Sequence, residues 1–251
     1  MTEAGTTRHR VLVVAMADSV HTARWVAQFR DDPIDVELFP STPHRRLHHL
    51  IRKLRDGPQQ MRLTISPGMT RGALPAAVVD LVARDRCRAA LLRRRIRAFD
   101  PSIVHALEIQ HAGYLTWSAR RALGRRRVIV TNWGSDIYWY GRFARHRARI
   151  EHVLALATDY SAECERDHLL AREFGFRGRH LPVIPNAGGM SLSDAPPAPP
   201  SARKTLVIKG YSTFVGRAAE VLRILPRLGA DRKSTRLNSS HVSESRMPSS
   251  A

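Results

Sequence analysis

The residue types able to act on a small molecule fall at the ends of short apolar runs. The densest group is Thr131–Trp139, TNWGSDIYW, which follows the run Arg127–Val130 and precedes an Arg- and Ala-rich segment, Gly141–Ala157. Gly134 and Ser135 let a ligand approach the backbone, Asp136 sets a carboxylate at the turn, and Trp133, Tyr138, Trp139 and Tyr140 offer flat faces. Ser135 or Asp136 could equally serve as the N-cap of the next helix. A second group, Ser19, His21, Thr22 and Arg24, gathers polar side chains at the start of a predicted helix. An anion could sit there, or Ser19 or Thr22 caps the helix. A third group has His105 and Glu108 at or past the end of a strand, with Gln110 and His111 beyond. A fourth is Pro185-Asn186-Ala187-Gly188-Gly189 after the run LPVI.

The elements that must hold these groups alternate. Arg10–Met16, RVLVVAM, is a continuous apolar run of strand length, suited to a parallel strand buried on both faces. His21–Phe29 has helical spacing, Ile34–Phe39 alternates as a strand closed by Pro40, and Met61–Ile65 is a short strand. Pro43–Arg55 is predicted as a solvated loop or short helix, and its His44, His48 and His49 lack a Cys or acidic partner at ligand spacing, so no metal site is expected. Gly72–Arg97 carries one apolar helical face, with Pro75 in its first turn. Ser102–Leu107 is the next strand, and Ala112–Leu123 a helix stopped by Gly124. Thr158–Ala162, Glu163–Phe174 with Gly175, and Leu181–Ile184 continue as strand, helix and strand. Such alternation requires an α/β, Rossmann-like, doubly wound parallel sheet with helices on both faces. Ligands then gather at the carboxyl ends of the strands.

Composition bounds the function classes. The chain has 251 residues, 43% of them hydrophobic, enough for one large or two small domains. No run reaches the roughly 18 apolar residues of a membrane span. No signal peptide is evident, which favours the cytoplasm. Cys87 and Cys164 form no CxxC motif and read as plain thiols. The formal net charge is +19, nearly all from Arg, since the lysines are Lys53, Lys204, Lys209 and Lys233. Arg-for-Lys bias of this kind is what a GC-rich genome produces without selection for binding. The clusters Arg93–Arg95 and Arg125–Arg127 read as helix C-terminal ends, where cations oppose the dipole. They also suit anionic headgroups at the inner face of a membrane. No motif or aromatic-interleaved basic stripe points to nucleic acid. The turn ADSVHT replaces the GxGxxG of a dinucleotide site and argues against NAD or FAD.

Residues 1–190 are thus expected to form one α/β domain, with a Pro-rich linker over 191–203 and a second α/β unit beginning at 204–230. Asp231–His241, DRKSTRLNSSH, back-translates to the constant block of a short-read sequencing adapter, and Ser245–Ala251, SRMPSSA, to its other constant end in the same frame. Residues 231–251 are therefore expected to be read-through, polar and disordered.

Five stretches in order, VLVVAMADSVHTARW (11–25), PSIVHALEIQHAGY (101–114), VTNWGSDIYW (130–139), ATDYSAECERD (157–167) and VIPNAGG (183–189), resemble the amino-terminal half of a GT-B glycosyltransferase of the large retaining family 4-like group. The resemblance implies two Rossmann-like domains facing across a cleft, the first binding acceptor and the second the nucleotide sugar. It implies no cofactor beyond that co-substrate. Ser19, Arg24, His105, Gln110, Trp133, Gly134, Ser135 and Asn186 would then contact substrate, and Lys209 and Arg217 the donor diphosphate. Where relatives often carry His before the Gly of the GSD turn, this chain has Trp133. That leaves Asp136 and His21 as the polar candidates for catalysis. Cations and backbone amides would stabilise the leaving diphosphate, and a lipid-linked or saccharide acceptor would attack on the face it leaves. The fragment itself would be inactive. The other readings are a non-catalytic half-domain that binds acceptor or membrane, and a nucleotide-sugar epimerase on the same fold.

Overall fold

A computed structural model describes residues 8–43, 46–67, 86–186, 199–202, 208 and 218–224. The chain divides into two compact units, Met1–Met190 and Ser191–Ala251. In the first, the strands are β1 (Arg10–Ala15), β2 (Asp35–Pro40), β3 (Arg62–Ile65), β4 (Ile103–Leu107), β5 (Arg127–Thr131), β6 (Asp159–Ser161) and β7 (Arg179–His180). They form one sheet of order β3-β2-β1-β4-β5-β6-β7, parallel at every pairing. The helices between them are α1 (Val20–Ala27), α2 (His49–Asp56), α3 (Arg86–Phe99), α4 (Tyr114–Ser118), α5 (Ala144–Leu156) and α6 (Glu165–Glu173). In the second unit the described residues include α7 (Ala218–Ile224), whose Val221, Leu222 and Ile224 are exposed.

β1 shows why the fold is doubly wound. Its residues alternate between two cores: Leu12 and Val14 pack with α3, α4 and α5, while Val11, Val13 and Ala15 pack with α1 and α2. A strand apolar on both sides can only sit mid-sheet under two helix layers. The chain winds outward from β1 to β3, then crosses back to place β4 on β1's other side. The order of winding reverses between β1 and β4, so their carboxyl ends flank the crevice where open sheets take ligands.

Local departures from the sequence reading have identifiable causes. The expected helix Ala112–Leu123 begins earlier and breaks into a π-helical turn Ile109–Gly113, α4, and a 3-10 turn Arg120–Ala122. Glu108 starts it by accepting the amides of His111 and Ala112, both at 2.6 Å. Thr116 and Ser118 then hydrogen-bond back to the carbonyls of Ala112 and Tyr114, which loosens a helix. The strand expected at Leu181–Ile184 instead pairs at Arg179–His180. Pro182 and Pro185 have no amide hydrogen, so only Leu181 and Ile184 still donate, to Tyr160 and Ala162. Val183 and Ile184 are left exposed. Pro43–Arg55 contributes the amphipathic α2. Arg93–Arg95 lie inside α3, not at its end, and the predicted residues 72–85 of that helix lie outside the described residues. So do most of the linker and all of 231–251.

Candidate functional site at the carboxyl rim

Asp136 is the hub of the rim. It is 6% exposed, and its Oδ2 accepts the amides of Ile109 and Trp133, each at 2.9 Å. Those amides belong to the loops after β4 and β5, so one carboxyl oxygen ties two neighbouring turns together. Gln110 repeats the link by donating its Nε2 to the Asp136 carbonyl at 2.9 Å. Asp136 caps no helix: α5 begins after Phe143, and Ser135 contributes its carbonyl to the amides of Trp139 and Tyr140. Burial, and then the neighbouring Glu108 carboxylate, push the Asp136 carboxyl well above the usual carboxylate range. The two turn amides pull the other way and are outweighed. Glu108 itself has φ +84, uncommon for a residue with a Cβ. A strained residue beside a π-turn is a frequent mark of a functional site.

Asn186, from the loop after β7, is 1% exposed. It accepts from Ser161 Oγ at 2.9 Å and donates to the Asn132 carbonyl at 3.1 Å. Asn132 in turn accepts the Ile137 amide at 3.1 Å and donates to Asp167 at 2.8 Å. Asn186 therefore locks the ends of β5, β6 and β7. Asn132 was not among the candidates read from sequence. Its signal was a lone Asn beside the last strand residue, which is weak by itself.

The face of the rim nearest the β1–β4 crossing is built from α1 and the WGSD turn. Ser19 is the N-cap of α1 and accepts the His21 amide at 3.2 Å. His21 is exposed, with its ring edge-on to Trp133 at 5.7 Å. Trp133 Nε1, Thr22 Oγ1 and Ser41 Oγ are buried with no hydrogen-bond partner among the described residues. Gly134 is exposed at φ +43 with nothing near its missing Cβ, so glycine is there for the turn and not for a close contact. Its amide reaches Glu163 at 3.4 Å.

Two expectations are corrected here. His105 is not at a strand end but inside β4, 4% exposed. Its Nε2 lies 2.6 Å from Thr131 Oγ1 and its ring packs edge-on to Trp25 at 4.4 Å. Burial pushes its pKa down to about 3, so it is a neutral core imidazole. The strand ends at Leu107 as expected, which leaves His105 two residues inside it. Arg24 lies in the last turn of α1, away from the rim. Lys209 and Arg217 lie outside the described residues.

The rim thus brings together Ser19, His21, Gln110, Trp133, Gly134, Ser135, Asp136 and Asn186, and leaves out His105 and Arg24. The solved structures that resemble this fold include a UDP-N-acetylglucosamine 2-epimerase (15% identity, 68% of this chain and 46% of that one, TM-score 0.47). They also include a UDP-glucosyltransferase from Polygonum tinctorium (10%, 78% and 56%, 0.49). A third is the Anabaena protein HepE in complex with UDP and glucose (12%, 70% and 44%, 0.41). The chain spans about half the length of these proteins. No curated protein matches it significantly. The sequence model of one family, described as glycosyl transferase 4-like, matches residues 10–159, from the first residue of β1 to the first residue of β6. That match covers more than half of the sequence and takes in both the β1–β4 crossing and the Asp136 turn, and the chain belongs to the glycosyl transferase 4-like family.

Proposed function

We propose that the chain is the acceptor-side domain of a cytoplasmic glycosyltransferase that moves a sugar from a nucleotide donor to an acceptor with retention of configuration. The family match over residues 10–159 carries this reading. The rim supports it with a place: exposed His21 and the open Gly134 turn lie together at the carboxyl ends of the strands, where open α/β sheets take ligands. His21 is the side chain positioned to meet a reacting group. Asp136 acts as a positioning residue, because both amides it accepts belong to the turns it braces. Lys209 and Arg217 would meet the donor diphosphate from the second domain, where positive charge stabilises the leaving group. The acceptor is a lipid-linked or saccharide hydroxyl.

The test is a transfer assay on the complete gene product with a panel of nucleotide sugars, reading nucleoside diphosphate release and the anomeric configuration of the product. Transfer with retention, absent from the 251-residue chain alone and lowered at least ten-fold by His21→Ala, is the expected result. Inverted product, or epimerised donor without transfer, would overturn the reading.

A further inference from the structure

One imidazole on the rim, His111, is held by a buried carboxylate. It belongs to the π-helical turn Ile109–Gly113, which follows β4 at once. That turn packs against the ends of β1, β4 and β5. It therefore stands on the β4 side of the crevice whose β1 side carries His21. Ile109, Ala112 and Gly113 are buried. A Cβ on Gly113 would stand 3.0 Å from Val153 of α5, so the back of the turn is seated on that helix. Gln110 and His111 are the two residues of the turn left partly exposed. Gln110 is committed to the Asp136 carbonyl. His111, its side chain 39% exposed, is what the turn offers outward.

Glu108 grips His111 twice. Its Oε1 accepts the His111 amide at 2.6 Å, together with that of Ala112, and its Oε2 lies 3.3 Å from His111 Nδ1. A cap for the turn needs Oε1 alone; the second oxygen on the ring is more than a cap requires. Of the two neighbouring carboxyls, Asp136 is the one pushed up by burial and by the Glu108 charge, which leaves Glu108 as the acceptor. An ionised carboxylate only accepts hydrogen bonds, so Nδ1 carries the hydrogen and Nε2 keeps the lone pair. A carboxylate in this position fixes the tautomer and steadies the imidazolium once the ring has taken a proton. At 3.3 Å the bond is long, and bonds of this kind tighten when substrate is seated.

We propose that His111 is the general base that takes the proton of the acceptor hydroxyl, with Glu108 as its positioning residue. This rests on the transferase reading. The acceptor oxygen bonds to the anomeric carbon as the bond from that carbon to the donor diphosphate breaks. The diphosphate leaves with the electron pair, and the hydroxyl proton passes to His111 Nε2 and from there to water. The titratable and charged groups around the pair are Asp136 and Tyr140 after β5, Tyr114 on α4 with Arg149 of α5 over its ring, and Glu163 after β6.

The test is kcat and KM of the complete gene product from pH 5.5 to 8.5. Wild type is expected to lose kcat on the acid side with the slope of a single proton. His111→Gln is expected to lower kcat about 100-fold with KM within about three-fold, and to abolish the acid limb. Glu108→Gln keeps an oxygen for the two amides but turns a donor toward Nδ1. It is expected to lower kcat about ten-fold and to move the limb to lower pH, because the charge that steadied the imidazolium is gone. His152→Gln, exposed on α5, is expected to stay within about two-fold of wild type. A His111→Gln enzyme within about three-fold of wild type, its acid limb intact, would overturn the assignment and leave the transferase reading standing. A wild-type enzyme that transfers no sugar would remove that reading, and the assignment with it. Nitrogen NMR of the 251-residue chain reads the ring without any turnover. The hydrogen is expected on Nδ1 in wild type and redistributed in Glu108→Gln; a hydrogen on Nε2 in wild type would overturn the assignment.

Discussion

Replacing Asp136 separates a bracing role from a chemical one. Asp136→Ala leaves the amides of Ile109 and Trp133 without the oxygen that both now share. A buried donor stripped of its partner costs about 1–3 kcal/mol, so two of them give a loss of roughly 2–6 kcal/mol. Asp136→Asn keeps a carbonyl oxygen in place and should cost less than about 1.5 kcal/mol at neutral pH. The two variants also differ in pH dependence. The folded-state pKa of Asp136 is raised by burial and by Glu108, so the folded chain holds a proton that the unfolded chain has released. That contribution is fully present below the unfolded carboxylate value near 4 and is lost as pH rises through the folded value. Asn carries no such proton, so wild type should lose ground to Asp136→Asn as pH rises. Urea unfolding followed by Trp fluorescence from pH 5 to 8 reads both effects. Equal losses for Ala and Asn at every pH would show that the carboxyl does more than accept two amides. In the complete enzyme, a folded Asp136→Asn variant with kcat reduced a thousand-fold would make Asp136 a participant in the reaction.

His105 gives an opposite slope: its folded pKa is pushed down to about 3, so below the unfolded value near 6.5 the unfolded chain takes up the proton and stability falls by about 1.4 kcal/mol per pH unit. His105→Leu should flatten acid unfolding between pH 6 and 4, and an unchanged slope would mean the imidazole charges freely in the fold. Glu37 is buried on β2, with Ser66 and a two-pronged bond from Arg95 at 2.7 and 2.8 Å. Arg95→Met strands that carboxylate and should cost about 3–5 kcal/mol by denaturant titration. Arg127→Met should cost under about 1.5 kcal/mol, because Asp159 keeps Arg179 and Thr158.

The sheet was legible because Leu12, Val14 and their neighbours on β1 leave no polar face, and because β1, β5 and β7 are followed by turns that carry Gly, Ser, Asn or Asp. The rim was legible for the same reason, since parallel strands put all such turns on one side. Roles within the rim were not. Asp136 in GSD looks the same in sequence whether it caps a helix, meets a substrate or clasps the loop after the neighbouring strand, 27 residues earlier in sequence. Glu108 was visible at a strand end, yet its positive φ and its grip on a π-turn depend on how wide the following turn becomes. His105 was placed at the carboxyl end although the expected strand already reached Leu107; pairing of Leu107 with Thr131 on β5 keeps it two residues inside, where its side chain is buried.

The charge of the chain acquires a different meaning once the strands are laid side by side. At the amino ends of the sheet, Arg62 and Arg8 meet Asp35, Arg10 and Arg126 meet Asp100, and Arg127 and Arg179 meet Asp159. Arg10, Asp35 and Arg62 stand in register across β1, β2 and β3, as do Asp159 and Arg179 across β6 and β7. Each carboxylate is held between two guanidiniums, which leaves the edge net positive while every acid is satisfied. An excess of Arg over Asp is therefore built into the architecture of this pole. It predicts no partner, and an Arg-rich composition alone misleads about binding. Arg95, Arg126 and Arg127, conspicuous in the sequence as parts of basic clusters, each hold an acid of the fold, so their place in the sequence says more about the sheet than about a partner.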